Sequence, residues 1–185
     1  QSIAEGVDGT IWVGTMNGLG ALDPATRTFK NHFHDPSNPH TLNHSNVGSI
    51  YVDRRGAVWI GTNAGLNVMD PATGIVRRLP DRNPATSGMN QNIMCILEDS
   101  RGILWLSTWG GGLRSYDPVR DIYEVFLHDP KDPASIGDNV VGNMAFDNQG
   151  TLWVGTTGGL HTLRPDTGKF VHFNHDPNDP YSMSS

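Results

Sequence analysis

Three short triplets, His34-Asp35-Pro36, His128-Asp129-Pro130 and His175-Asp176-Pro177, set an imidazole beside a carboxylate. These side chains are good metal ligands and good polar contacts for a bound molecule. His40 and His44 stand next to the first triplet. The triplets recur along the chain, so each repeats its own local setting and the three do not converge on one point. An aspartate before proline that caps its own turn explains them with no ligand. A fourth segment, Pro80-Asp81-Arg82-Asn83-Pro84, drops the histidine and keeps the proline spacing.

Thr108-Trp109-Gly110-Gly111-Gly112 is a second candidate. An indole beside three glycines on a loop can stack on the apolar face of a sugar ring, or it can cover a neighbouring element. The candidate ligand-binding residues are therefore Trp109, with His34, His40, His128 and His175. No catalytic residue, metal site or cofactor is expected. Gly-x-Ser-x-Gly, Cys-x-x-Cys, His-Glu-x-x-His and phosphate-cradling glycine loops are all missing from the sequence. Asp53-Arg-Arg-Gly56 is too short for a calcium loop of the EF-hand kind. The single cysteine, Cys95, sits in the apolar run Ile93 to Leu97 and reads as a small buried strand residue.

The elements that must carry these residues are legible as a repeat. Ile11-Trp12-Val13-Gly14-Thr15 returns as Val58-Trp59-Ile60-Gly61-Thr62, as Leu104-Trp105-Leu106-Ser107-Thr108 and as Leu152-Trp153-Val154-Gly155-Thr156. A turn ending in glycine precedes each copy, Gly-Leu follows it, and Asp-Pro, or Arg164-Pro165-Asp166 in the last copy, comes next. Each repeat divides into four short β-type runs separated by turn residues. In the second copy the runs are Val47 to Val52, Ala57 to Thr62, Leu66 to Met69 and Ile75 to Leu79. Four strands per repeat of this length predict an all-β fold, a β-propeller of four-stranded antiparallel blades. The predicted blades are about 1–46, 47–92, 93–139 and 140–185, a partial propeller in one domain. Trp12, Trp59, Trp105 and Trp153, with Thr15, Thr62, Thr108 and Thr156, are read as structural repeat positions. The tryptophans are expected to pack between blades, and Gly61 is expected to leave room for an indole. Strand alternation puts the A–B and C–D turns on the bottom of the ring, and the B–C turns and D–A linkers on the top.

Bulk composition agrees with a folded, repetitive domain. The apolar set is 36% and glycine adds 22 residues, which places the chain in the globular range and argues against disorder. Net charge is −6 and no basic run exceeds two residues, so a nucleic-acid surface is not expected. No apolar run approaches a membrane span.

Trp-(Ile/Val/Leu)-(Gly/Ser)-Thr, then Gly-Leu, then Asp-Pro, with a linker such as His34-Asp-Pro-Ser-Asn-Pro-His-Thr-Leu42, resembles the two-component regulator propeller repeat. The resemblance spans essentially the whole chain. It implies a seven-bladed propeller, often one of two in tandem, outside the inner membrane and ahead of a transmembrane helix and a histidine kinase or diguanylate cyclase. It implies a periplasmic, non-enzymatic, ligand-sensing segment, since some members bind oligosaccharides. A protein-interaction or dimerisation scaffold, and a propeller lyase or hydrolase, are the alternatives. Seven blades need more chain than these four repeats. The sequence is therefore read as part of a longer protein whose further blades complete the ring. The alternative is that a second copy closes an eight-bladed ring. Any membrane association would come from another segment of the parent chain.

Overall fold

The computed structural model describes residues 2–80 and 92–184. Those residues contain sixteen strands and no helix. Blade 1 is β1 (Ile3–Glu5), β2 (Ile11–Thr15), β3 (Gly18–Asp23) and β4 (Thr28–His32). Blade 2 is β5 (Val47–Val52), β6 (Val58–Thr62), β7 (Gly65–Met69) and β8 (Val76–Leu79). Blade 3 is β9 (Ile93–Glu98), β10 (Leu104–Thr108), β11 (Leu113–Asp117) and β12 (Ile122–Phe126). Blade 4 is β13 (Val141–Phe146), β14 (Leu152–Thr156), β15 (Gly159–Arg164) and β16 (Lys169–Phe173). Each set forms one sheet in the order in which its strands follow along the chain. The predicted runs of the second repeat match β5 to β8 to within a residue at each end. The described residues fall into two compact units, 2–80 with 92–96 and 97–184.

An Asp-x-x-Gly turn joins the first two strands of blades 2, 3 and 4, and its carboxylate organises it; blade 1 has Gly6-Val7-Asp8-Gly9 at this place. In blade 2, Asp53 Oδ1 accepts the Arg55 amide at 2.9 Å and the Ala57 amide at 3.0 Å. Gly56 supplies the left-handed backbone that closes the turn (φ 84°). The second oxygen, Oδ2, accepts the Trp59 indole N–H at 2.9 Å. Blade 4 repeats the arrangement, with Asp147 accepting from Gln149 N, Thr151 N and Trp153 Nε1. The Trp153 N–H and the Thr151 amide hold the Asp147 carboxyl below its ordinary range.

In blades 1, 3 and 4 the indole then lies against an aromatic ring of the last strand of its own blade. Trp153 lies 5.2 Å from Phe173, Trp105 lies 5.8 Å from Phe126, and Trp12 lies 6.1 Å from His32 between ring centroids. These contacts are inside one blade, whereas the sequence reading set the indole between blades. Trp12 also joins an apolar cluster with Leu19 and with Val47, Ile50 and Ile60 of blade 2.

The glycine of the Trp-x-Gly-Thr strand has a different use from the one expected. A side chain at Gly14 would meet Val47 Cγ1 at 2.8 Å, and one at Gly61 would meet Ser49 Oγ and, at 2.7 Å, Ile93 Cγ2. The space is filled by first-strand residues, not by an indole, because a bare Cα here lets the next first strand approach closely. Cys95 lies in β9 and is half-buried, not fully buried as its apolar run suggested.

The C–D turns hold a residue in the left-handed region. Gly74 and Gly168 occupy it in blades 2 and 4, but Arg27 (φ 57°) and Asp121 (φ 58°) occupy it in blades 1 and 3. Asp121 has a compensating bond, since its Oδ1 accepts the Tyr116 hydroxyl at 2.8 Å. For Arg27 the backbone strain stands without such a side-chain bond. Arg27→Gly is accordingly expected to stabilise the chain by about 0.5–1 kcal/mol. A rise in the urea midpoint at constant slope checks it; a fall shows that Arg27 has a stabilising contact.

Candidate functional site

The top face is where B–C turns meet D–A linkers, and hydrogen bonds between them make it one surface in each unit. In blade 1, Gly18 N donates to Ser45 O at 2.7 Å. In blade 2, Asn63 N donates to Asn46 O, and Asn43 Nδ2 to Ala64 O. In the second unit, Gly110 N and Gly112 N both donate to Asn139 O, at 3.1 and 2.9 Å.

The repeat threonine closes every B–C turn by donating its hydroxyl to the glycine carbonyl at the start of the third strand. The pairs are Thr15 to Gly18 (2.9 Å), Thr62 to Gly65 (3.1 Å), Thr108 to Gly112 (2.7 Å) and Thr156 to Gly159 (3.3 Å). In three blades that glycine is the third residue after the threonine; in blade 3 it is the fourth. The extra residue makes room for Trp109 in a turn otherwise closed the same way. Gly110 (φ 92°) and Gly112 (φ 77°) carry the unusual backbone, and Trp109 forms an isolated bridge with Val140. The Trp109 side chain is left 55% exposed, whereas Trp12, Trp59 and Trp105 are each at most 6% exposed. An indole on a pinned turn loses little freedom when a ligand stacks on it.

The histidine candidates serve their own linkers. His34 Nδ1 bonds Leu42 O at 2.6 Å, His128 Nδ1 bonds Ile136 O at 2.8 Å, and His175 Nδ1 bonds Met183 O at 2.8 Å. In each linker the adjacent aspartate caps the turn, with Asp35, Asp129 and Asp176 accepting the amides of Ser37, Lys131 and Asn178. His40 is exposed, and its amide donates to Asn38 Oδ1. His44 Nδ1 accepts the Asn46 amide. No group of three or more metal-ligating side chains occurs among the described residues. The structure does bring His128 and Trp109 into one network, because Asn139 Oδ1 accepts the His128 amide while Asn139 O holds the Trp109 turn. The segment Asp81 to Pro84 lies outside the described residues.

Sequence reasoning missed the polar positions that fasten the linkers down. The residue after Gly-Leu in the third strand is Gly20, Asn67, Arg114 or His161. Asn67 is fully buried and donates to Asn43 Oδ1 at 2.8 Å, and the same oxygen, 2.6 Å from Thr62 Oγ1, shares the Thr62 hydroxyl proton with the Gly65 carbonyl. Its cross-strand partner Arg78 donates to the carbonyls of Asp35, Asn38, Thr41 and Leu42. In blade 4 the equivalent pair is His161 and His172, with ring centroids 4.7 Å apart, edge to face. His161 is fully buried and bonds Thr156 Oγ1 through Nε2 at 2.8 Å, and its ring packs against Gly137 of the linker. Burial, with His172 adding to it, pushes the His161 pKa down to about 4. Aligning the repeats column by column exposes these positions, because they vary while everything around them repeats.

Comparison with known proteins bears on the repeat. The model of the two component regulator propeller family matches residues 41–64, 87–110 and 135–158. Curated proteins give no match to this sequence. Among solved structures, the extracellular domain of the hybrid two component system BT4673 of B. thetaiotaomicron superposes with a TM-score of 0.81 at 24% identity. The match covers 100% of this chain and 23% of that one. The corresponding domain of BT3049 of B. thetaiotaomicron gives 0.73 at 23% identity, over 88% of this chain and 21% of that one. Virginiamycin B lyase of Staphylococcus aureus gives 0.69 at 12% identity, over 96% and 56%. This chain thus spans less than a quarter of the two extracellular domains it resembles, and these likenesses establish the propeller fold. The matched segments each contain one of the Trp-x-Gly/Ser-Thr strands, so residues 41–64, 87–110 and 135–158 are similar to two component regulator propeller repeats, and the structural likenesses agree with the propeller fold.

Proposed function

We propose that this chain is the ligand-sensing, non-catalytic propeller segment of a periplasmic part of a two-component signalling protein. Its top face would recognise a carbohydrate through Trp109. One observation carries the reading: a single tryptophan, 55% exposed, stands on the longest B–C turn of the described blades, pinned by Asn139. The His34, His128 and His175 rings of that face are spent on their own linkers. The extracellular domains of similar fold support the location and the signalling role. Sugars present apolar CH faces to an indole and hydroxyls to rim groups such as Asn139 and the exposed His128.

Thermal-shift screening of the chain against a glycan panel, followed by titration of the best glycan, tests the proposal. A ligand at 100 times its Kd raises stability by about 2.7 kcal/mol. Trp109→Ala is expected to weaken that glycan by about 30-fold, the loss of a ~2 kcal/mol aromatic contact. No shift with any glycan favours a protein-interaction scaffold, and product formation on the same panel favours a lyase or hydrolase.

A further inference from the structure

One face of blade 3 carries a cavity of about 470 Å³ at the bottom of the second unit, away from Trp109, which follows the other end of β10. Cross-strand rows make its floor. Trp105 of β10 stands opposite Ser115 of β11, which stands opposite Glu124 of β12. Asp117 and Ile122 form the row on one side, and Phe126 lies two residues beyond Glu124 on the other. Leu163 and Pro165 of blade 4 supply apolar lining.

Two departures from the repeat coincide in this cavity. In blades 2 and 4 the indole N–H has a carboxylate acceptor, Asp53 or Asp147. In blade 3 the corresponding oxygen, Asp99 Oδ2, is taken by Arg101 through Nη2 at 2.7 Å and Nε at 3.0 Å. Trp105 is only 6% exposed, and its Nε1–H is left with no partner. A buried donor without an acceptor is costly, and a bound oxygen would relieve it. The second departure is at the end of the same row, where the four blades carry Lys30, Arg77, Glu124 and Val171. Blade 3 alone puts a carboxylate there. Arg120 and Asp117 approach each other at 3.7 Å, while no ion pair engages Glu124 among the described residues.

The cavity therefore has at its floor an indole whose buried N–H lacks an acceptor, with a guanidinium in the same lining, a donor-seeking carboxylate across the sheet, and an apolar wall. Its two arginines and two acids balance, which suits a ligand carrying both charges. We propose that this cavity binds a free α-amino acid with an apolar side chain. The ligand carboxylate accepts from Trp105 Nε1 and Arg101, its ammonium faces Glu124, and its side chain lies against Phe126, Leu163 and Pro165.

The test uses the indole N–H resonances of the full 185-residue chain, with that of Trp105 assigned by its loss in Trp105→Phe. L-leucine is the probe, with leucinamide, 4-methylpentanoate and glucose as matched arms. Leucine is expected to move the Trp105 resonance downfield and saturably. Leucinamide lacks the carboxylate and 4-methylpentanoate lacks the ammonium, so each is expected to bind about tenfold more weakly or worse. Glu124→Gln, an exposed and isosteric change, is expected to weaken leucine about tenfold and to leave 4-methylpentanoate unaffected. An unmoved Trp105 resonance at about 10 mM leucine, a ligand at the limit of useful affinity, overturns the proposal. So does a leucine affinity unchanged in Glu124→Gln, or a response to glucose in place of leucine. Trp109→Ala leaves this response intact, so the two sites fail or stand separately.

Discussion

Trp59→Ala is expected to lower the stability of its unit by about 3–5 kcal/mol, while Trp109→Ala changes it by less than about 0.5 kcal/mol. The same substitution removes the same atoms, so only the surroundings can separate the two outcomes. Trp59 is 4% exposed, and its indole N–H completes the Asp53 turn that joins β5 to β6. Alanine there opens a cavity in a five-residue strand that is buried throughout, and strips Asp53 Oδ2 of its donor. Trp109 already meets water over more than half its surface, and its turn is held by backbone bonds and by Thr108. Urea unfolding of both variants decides the matter. Trp59→Phe divides the loss, because the benzyl ring refills part of the space and the indole N–H stays absent; about 1 kcal/mol of its deficit belongs to that hydrogen bond. Equal losses in Trp59→Ala and Trp109→Ala would show that Trp109 is a packing residue, and would remove the basis for placing a ligand on it.

Acid is expected to destabilise blade 4 through His161. Its pKa is about 4 in the folded chain against 6.5 for a free imidazole, so the folded state disfavours the proton. The sign follows from the proton count: between pH 6.5 and 4 the unfolded chain binds a proton that the folded chain does not. The stabilisation is complete above pH 6.5, is lost as the pH falls towards 4, and is absent below it. A displacement of this size corresponds to roughly 3 kcal/mol. The cause is steric and electrostatic together. The ring is fully buried, Gly137 of the linker packs directly against it, and His172 faces it edge-on, so a charged imidazolium has neither water nor a counter-ion. His161→Asn places in blade 4 the residue that blade 2 uses at this position, and is expected to flatten stability between pH 7 and pH 4. Denaturation midpoints of parent and variant at the two pH values make the comparison, and an equal drop in both would assign the acid sensitivity to other groups.

The strand order, the turn types and the blade count were legible in the sequence because each rests on local chemistry repeated in three or all four blades. Asp and Gly at the A–B turn, Thr and Gly at the B–C turn and Asp-Pro at the C–D turn act within a few residues of themselves, so their spacing carries their function. The His-Asp-Pro linkers belong to the same class, and the capping expected of Asp35, Asp129 and Asp176 is formed by amides two residues on. Trp109 was noticed for the same reason, as an interruption of a pattern.

What tertiary structure decided is every partner more than one turn away. A bare Cα at Gly61 admits a neighbouring strand, not an indole, and nothing in Trp-Ile-Gly-Thr says which. Arg101 occupies Asp99, yet Arg55, at the same place in an equivalent turn, leaves Asp53 to Trp59. His161 and His172 stand eleven positions apart, and only the β15–β16 register sets them ring against ring beneath a linker. Local bonds are written into spacing, because the chain cannot avoid its neighbours. Long-range pairs depend on how strands align across a sheet, and that alignment determined which polar groups stay buried and which partners they meet.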